Sequence, residues 1–294
     1  MGDSSDLGRN FRTSLFTYSL TKTAHILPSD AILRTHTSTL PKPSPWSVRA
    51  VLDHPTFPSP AYQEDSSSPL PFFHYVSRLK IEKREGWRRF GITDGESIAD
   101  HMYRMSLITM LAPPSLSKKL DIARCTKMAL VHDMAEGLVG DLTPADGVPK
   151  AEKSRREAET MDWVSGGLLG KVHGGLAGQD IREVWQEYED GKTEESKFVH
   201  DVDKIELLLQ MVDYERASKC QLDLGKFGYV ETKLELPEMK EWGKEILRER
   251  AQLWKEHDKV PKEPVQRAAI RKAQDEYYGS GTAKNTTTIG LEDT

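Results

Sequence analysis

Between residues 72 and 278 apolar side chains recur three and four residues apart, and the alternation a half-buried strand needs is almost absent. No internal repeat suggests a solenoid. The pattern therefore confines this stretch to an all-α domain. Helices are expected near 72–84, 97–112, 116–137, 150–170, 178–190, 194–218 and 237–257. Ser97 stands where it caps the second, Pro113-Pro114 ends it, and Gly140 followed by Pro144 closes the third. Residues 205–212, Ile-Glu-Leu-Leu-Leu-Gln-Met-Val, are apolar almost all round, so that helix should lie at the centre. The 237–257 stretch is charged, with Trp242, Ile246, Leu247 and Trp254 along one side, and should pack on the outside.

The flanks differ in kind. Residues 1–50 hold 15 Ser or Thr, six Arg or Lys and three acids, and prolines at 41, 43, 45, 55, 58, 60, 69 and 71 break any long element. Such a segment buries too little apolar surface to offset its ordering entropy. Three regions are expected: a disordered Ser/Thr/Pro-rich tail over 1–70, one domain over 71–278, and a second disordered tail over 279–294. Removal of 1–70 should then leave folding and turnover intact. Arg9 and Arg12 in a Ser-rich start give a mitochondrial transit peptide as the alternative, against which Asp3 and Asp6 count. The net charge of −5 argues against nucleic-acid or anionic-membrane partners. No run approaches about 18 apolar residues, so no membrane span is expected, and no secretory signal is evident. Two cysteines, Cys125 and Cys220, suit a reducing compartment, cytoplasmic or nuclear. The Gly-rich 164–180 reads as a flexible loop.

Polar residues sit where core residues belong. His101 lies on the apolar stripe of Ile98, Met105, Ile108 and Ala112. Alone, a histidine there is more often a hydrogen-bonded core residue than a ligand. His132-Asp133 interrupts the run Met128-Ala-Leu-Val-His-Asp-Met-Ala-Glu136, and Glu136 follows His132 by one turn. A buried carboxylate needs a partner, and only Lys127 is near Asp133 in sequence. A metal ion satisfies His132 and Asp133 together. Asp203, in His200-Asp-Val-Asp203-Lys204 at the entry to the apolar helix, completes two nitrogen and two oxygen ligands. That set suits one divalent cation among Mn, Co, Fe, Ni and Zn, with Mg also admissible. Asp201 reads more simply as an N-terminal helix charge.

The order His101 … His132-Asp133 … Asp203 resembles the signature of the HD-domain metal-dependent phosphohydrolases. The longer strings at 96–105, 132–144 and 201–215 are similar to its 5′-deoxynucleotidase branch. The resemblance covers roughly 72–257 and neither tail. It implies an all-helical bundle, one bound divalent cation, and hydrolysis of deoxyribonucleoside 5′-monophosphates to deoxynucleoside and phosphate by a homodimer. It also implies metal ligation by His101, His132, Asp133 and Asp203, a catalytic carboxylate at Glu136, and a sugar contact at Asp141. Trp87 matches an aromatic that lies against the base, and an arginine near the phosphate is matched by Arg84, Arg88 or Arg89.

Phosphomonoester hydrolysis must neutralise phosphoryl charge, deliver water in line and assist the leaving oxygen. Glu136 is placed to orient the water or to protonate O5′; a hydrogen bond to a ligating histidine is its other reading. Asp141 is otherwise a turn-forming acid, Trp87 an ordinary core residue, and Lys204 a solvated charge or a partner for phosphate or a nearby acid. Two rivals stand beside this reading. One is an HD enzyme acting on dNTPs, cyclic nucleotides or guanosine polyphosphates. The other is a non-catalytic HD binding module, expected to lose a ligand.

Overall fold

The computed structural model describes residues 45–57 and 62–261. The tail expectations for 1–44 and for 279–294 lie outside these residues. Among them no strand occurs, only one isolated antiparallel bridge between Lys83 and Ser97. The helices are α1 (Val48–Leu52), α2 (Leu70–Val76), α3 (Glu85–Arg88), α4 (Ile98–Met110), α5 (Pro114–Ser117) and α6 (Ile122–Val131). They continue as α7 (Glu136–Val139), α8 (Lys150–Asp162), α9 (Leu176–Asp190), α10 (Glu194–Ala217) and α11 (Pro237–Glu256).

The α4, α6 and α10 helices pack on one another, and α9 and α11 lie against them. Ser97 caps α4 as expected, in a reciprocal arrangement with Asp100. The α10 helix is the central one: Phe198, Val199, Val202, Ile205, Leu208, Met211 and Val212 are all buried on it. Each such side chain contributes roughly 1.5–3 kcal/mol by leaving water. Asp201 is also buried, and accepts the backbone N–H groups of Glu235 and Leu236 at 2.9 and 2.7 Å. It therefore holds the turn that leads into α11 and, lying well inside α10, does not act as a charge at its own N-terminus.

Three sequence expectations are corrected. The helix expected over 116–137 is three shorter ones, because Asp121 accepts the Arg124 N–H and starts α6 afresh. Beyond Val131 the backbone tightens: Met134 bonds back to Val131 and Glu136 to Asp133, each three residues away. The ordered domain also begins well before residue 71. Val48 and Leu52 of α1 are buried, Val48 donates its N–H to Glu159 at 2.9 Å, and Tyr62 packs edge-on against Tyr75 at 5.9 Å. Trp46, Val48, Val51, Leu52, Phe57 and Tyr62 pack into or against the core, although the 1–70 stretch as a whole is rich in Ser, Thr and Pro. The Gly-rich 164–180 is not one flexible loop. It continues α8 as a π-helix over Trp163–Leu168, turns through a short 3₁₀ segment at Val172–Gly175 and enters α9 at Leu176. Its glycines allow close approach: a Cβ on Gly178 would collide with the Ser165 carbonyl oxygen.

Candidate metal centre

The tightened turn after α6 aims His132 and Asp133 inward, towards His101 from α4 and Asp203 from α10. The Nε2 of His101 lies 3.7 Å from Asp133 Oδ2 and 3.3 Å from Asp203 Oδ1. The Nε2 of His132 lies 3.2 Å from the same Asp133 oxygen. One ligand atom from each of His101, His132 and Asp133 lies within 4.8 Å of the others. Both imidazole Nε2 atoms are buried and make no hydrogen bond. Two orphaned, buried nitrogens facing two carboxylates are a donor set that fits a divalent cation. The outward nitrogens are fixed: His101 Nδ1 lies 2.7 Å from Glu206 Oε2, and His132 Nδ1 lies 3.0 Å from the Ala129 carbonyl. The Trp185 indole N–H donates to the His132 carbonyl at 3.0 Å, and the Tyr188 ring lies 4.8 Å from the His132 ring.

The charge balance favours ionised carboxylates. Burial works against both carboxylates, yet neighbouring imidazoles and Arg84 hold Asp133 and Asp203 well below the usual range. For Asp133 these are His132, Arg84 and His101; for Asp203 they are His101, Arg84 and His132. Burial and Arg84 oppose a charged His101, but in the metal-free site Glu206 and Asp203 prevail and raise its pKa to about 10, so a bound cation would displace the Nε2 proton. Glu136, the first residue of α7, is fully enclosed. Burial, followed by repulsion from Asp133 and Asp141, lifts its carboxyl well above the usual range. Lys153 from α8 stands 3.5 Å from both Glu136 and Glu157 and donates to the Leu142 carbonyl.

The remaining candidates separate clearly. Arg84 donates to Asp133 Oδ2 at 3.0 Å and is the arginine at the centre. It is the partner Asp133 required, supplied from 49 residues away in sequence. Arg88 is largely exposed and pairs with Glu85, while Arg89 pairs with Asp146, so neither is placed at the centre. Gly140 ends α7 at φ +78°, a left-handed angle that turns the chain so that Asp141 accepts the Glu85 N–H at 2.7 Å. Trp87 is a correction. It is 1% exposed, its ring packs on Tyr214 and Phe227, and its indole N–H goes to Glu96 at 2.7 Å. No face of it is open to a base. Lys204 pairs with Asp201 and the His200 carbonyl.

Sequence reasoning passed over Glu206, Lys153, Glu157, Trp185 and Tyr188. Glu206 had a signal, as the one acid inside the apolar run of α10. Glu157 yields a stability prediction. Burial, against the pull of Lys153, raises its pKa from 4.5 to about 7. The folded chain thus binds this proton more tightly than the unfolded one, and stability falls as pH rises from 4.5 to about 7. Thermal unfolding of Glu157→Gln should lose less stability than wild type between about pH 5 and pH 8, by about 2–3 kcal/mol. An unchanged pH dependence would contradict this assignment.

A family profile described as HD domain matches residues 76–240, and those residues contain all four candidate ligands. The chain belongs to the HD-domain family. Within it, the chain falls in the branch whose curated members are called 5′-deoxynucleotidases. The Schizosaccharomyces pombe 5′-deoxynucleotidase hdd1 is 44% identical over 190 residues, covering 64% of this chain and 93% of the relative. The Homo sapiens 5′-deoxynucleotidase HDDC2 is 40% identical over 146 residues, covering 50% of this chain and 68% of the relative. Among solved structures, the HD domain-containing protein YGK1 aligns with a TM-score of 0.50 at 30% identity, covering 71% and 96% of the two chains. None of the described helices is long and apolar enough to cross a membrane.

Proposed function

We propose that this protein hydrolyses deoxyribonucleoside 5′-monophosphates to deoxynucleoside and phosphate, using one divalent cation held by His101, His132, Asp133 and Asp203. The observation that carries this reading is the pair of orphaned Nε2 atoms facing two carboxylates, with Arg84 and Glu136 beside them. The names of its relatives agree with it. When bound, the cation neutralises phosphoryl charge and acidifies a water. Arg84 gives one of its N–H donors to Asp133 and offers others as a fork to the phosphate. A water oxygen bonds to phosphorus, the P–O5′ bond breaks, and a proton reaches O5′. Glu136, buried at the centre, handles that proton. Lys153 and the walls of α7 and α8 keep bulk water from the Glu136 carboxyl.

Selectivity for the sugar falls to Asp141. The Glu85 N–H fixes its Oδ2, and the second oxygen is left to accept the 3′-OH. A charged acceptor deprived of its hydroxyl costs about 1–3 kcal/mol. Deoxy-, ribo- and 2′,3′-dideoxynucleoside monophosphates should therefore be compared. The dideoxy series should lose about 10–100-fold in kcat/KM, and Asp141→Asn should slow turnover while sparing metal affinity. Ribonucleotides turned over as fast as deoxyribonucleotides would refute the deoxy preference. Release of the metal by Asp141→Asn would move that residue into the ligand set.

The protein acts as a homodimer in the cytoplasm or nucleus on this reading. Tyr103, Leu107, Met110 and Leu111, on and just beyond the outer face of α4, are exposed and give a second copy an apolar surface to cover. Sedimentation of wild type against Leu107→Glu tests this: the variant should run as a monomer.

A further inference from the structure

We infer that Glu206 is a positioning residue of the metal centre, which acts through His101 and is itself held by Arg104. The inference rests on the metal-centre reading above.

Glu206 is completely buried on α10, three residues after Asp203, and a buried carboxylate requires a role or a partner. It has two. Its Oε2 lies 2.7 Å from His101 Nδ1, and its Oε1 lies 2.7 Å from Arg104 Nη2 and 2.9 Å from Arg104 Nε. Arg104 reaches on to Gln210 at 2.6 Å and Asp213 at 2.9 Å, so its guanidinium is anchored at the surface end of the same helix. The chain Asp213–Arg104–Glu206–His101 thus runs from solvent to the centre across the contact between α4 and α10.

A ligating imidazole must carry its proton on the nitrogen away from the metal. A carboxylate on Nδ1 fixes that tautomer, orients the ring and makes Nε2 a better donor. His132 is held differently, by the Ala129 carbonyl. The two candidate histidines therefore have different Nδ1 partners: His101 faces an arginine-paired carboxylate and His132 a neutral carbonyl.

Glu96, His101 and Glu206 also lie close enough together to hold an ion of their own. Three of their four carboxylate oxygens are already engaged. Arg104 and His101 take both Glu206 oxygens, and the Trp87 indole N–H takes Glu96 Oε1. A guanidinium supplies the positive charge there, so the cluster orients His101 and does not bind a second cation.

The test is a Co²⁺ titration of wild type and Glu206→Gln, followed by visible absorption, with helical content checked by circular dichroism. Gln keeps the shape and an acceptor but loses the charge. The folded variant should bind Co²⁺ about 10–100-fold more weakly, with an altered ligand-field band. A residue needed only for packing would lower the melting temperature of the metal-free chain and leave Co²⁺ affinity alone, which would overturn the proposal. A second measurement needs no variant. In Zn²⁺-loaded wild type labelled with ¹⁵N-histidine, the His101 Nδ1 proton should resonate downfield of the His132 Nδ1 proton, because it donates to a carboxylate. Equal shifts would overturn the proposal even if Glu206→Gln does not fold. Wild type that binds no Co²⁺ would instead overturn the metal centre, and the proposal with it.

Discussion

Asp133→Asn is expected to lower phosphate release by about 10³-fold or more and to weaken divalent-metal binding by about two orders of magnitude. One oxygen of this residue, Oδ2, is 3.0 Å from Arg84, 3.2 Å from His132 Nε2 and 3.7 Å from His101 Nε2. Asparagine occupies the same volume but brings no charge to that point. Arg84, mostly enclosed, also loses its carboxylate partner, so the folded state becomes less stable. A metal-binding isotherm and phosphate release at saturating metal check both effects. Wild-type Mn²⁺ affinity in the variant would remove Asp133 from the ligand set.

Glu136→Gln should separate chemistry from binding. We expect kcat to fall about 10²–10⁴-fold while KM and metal affinity stay near wild type. Glu136 is sealed at the start of α7, with Lys153 3.5 Å from its Oε1, and its Oε2 makes no hydrogen bond. An enclosed carboxyl with one oxygen unengaged is suited to exchanging a proton with a substrate atom. Glutamine fills the space and cannot make that exchange. Loss of metal in this variant would show that Glu136 is a ligand, and an unchanged kcat would exclude it from the proton transfer.

The candidate ligands were legible because histidine and aspartate interrupt apolar helical runs, where only a strong partner offsets their burial. Their spacing placed them on three helices, and the structure brings them together. What the runs did not disclose is how His132 and Asp133 come to point at one centre. That depends on the break after Val131, and no proline marks it. Arg84 as the partner of Asp133 was equally hidden, since 49 residues separate them and local spacing carries no information about the pairing. Trp87 shows the opposite failure. The family resemblance implied a base platform there, but Tyr214 and Phe227 pack on the ring and bury it. The Gly-rich 164–180 misled because glycine count reads as flexibility, whereas here glycine permits close backbone packing of α9 on the π-helical turn. Composition also placed the domain start too late, because a handful of residues such as Val48, Leu52 and Tyr62 fold onto α8 and its extension despite polar neighbours.

The most direct test of the account is phosphate release from deoxyribonucleoside 5′-monophosphates by wild-type protein stripped with EDTA, before and after stoichiometric Co²⁺ or Mn²⁺ is restored. The account predicts no release from the stripped protein and recovery on addition of metal, with deoxynucleoside triphosphates and cyclic nucleotides left intact. Release that survives EDTA would contradict the metal centre. Consumption of triphosphates or cyclic nucleotides, with the monophosphates untouched, would contradict the proposed substrate.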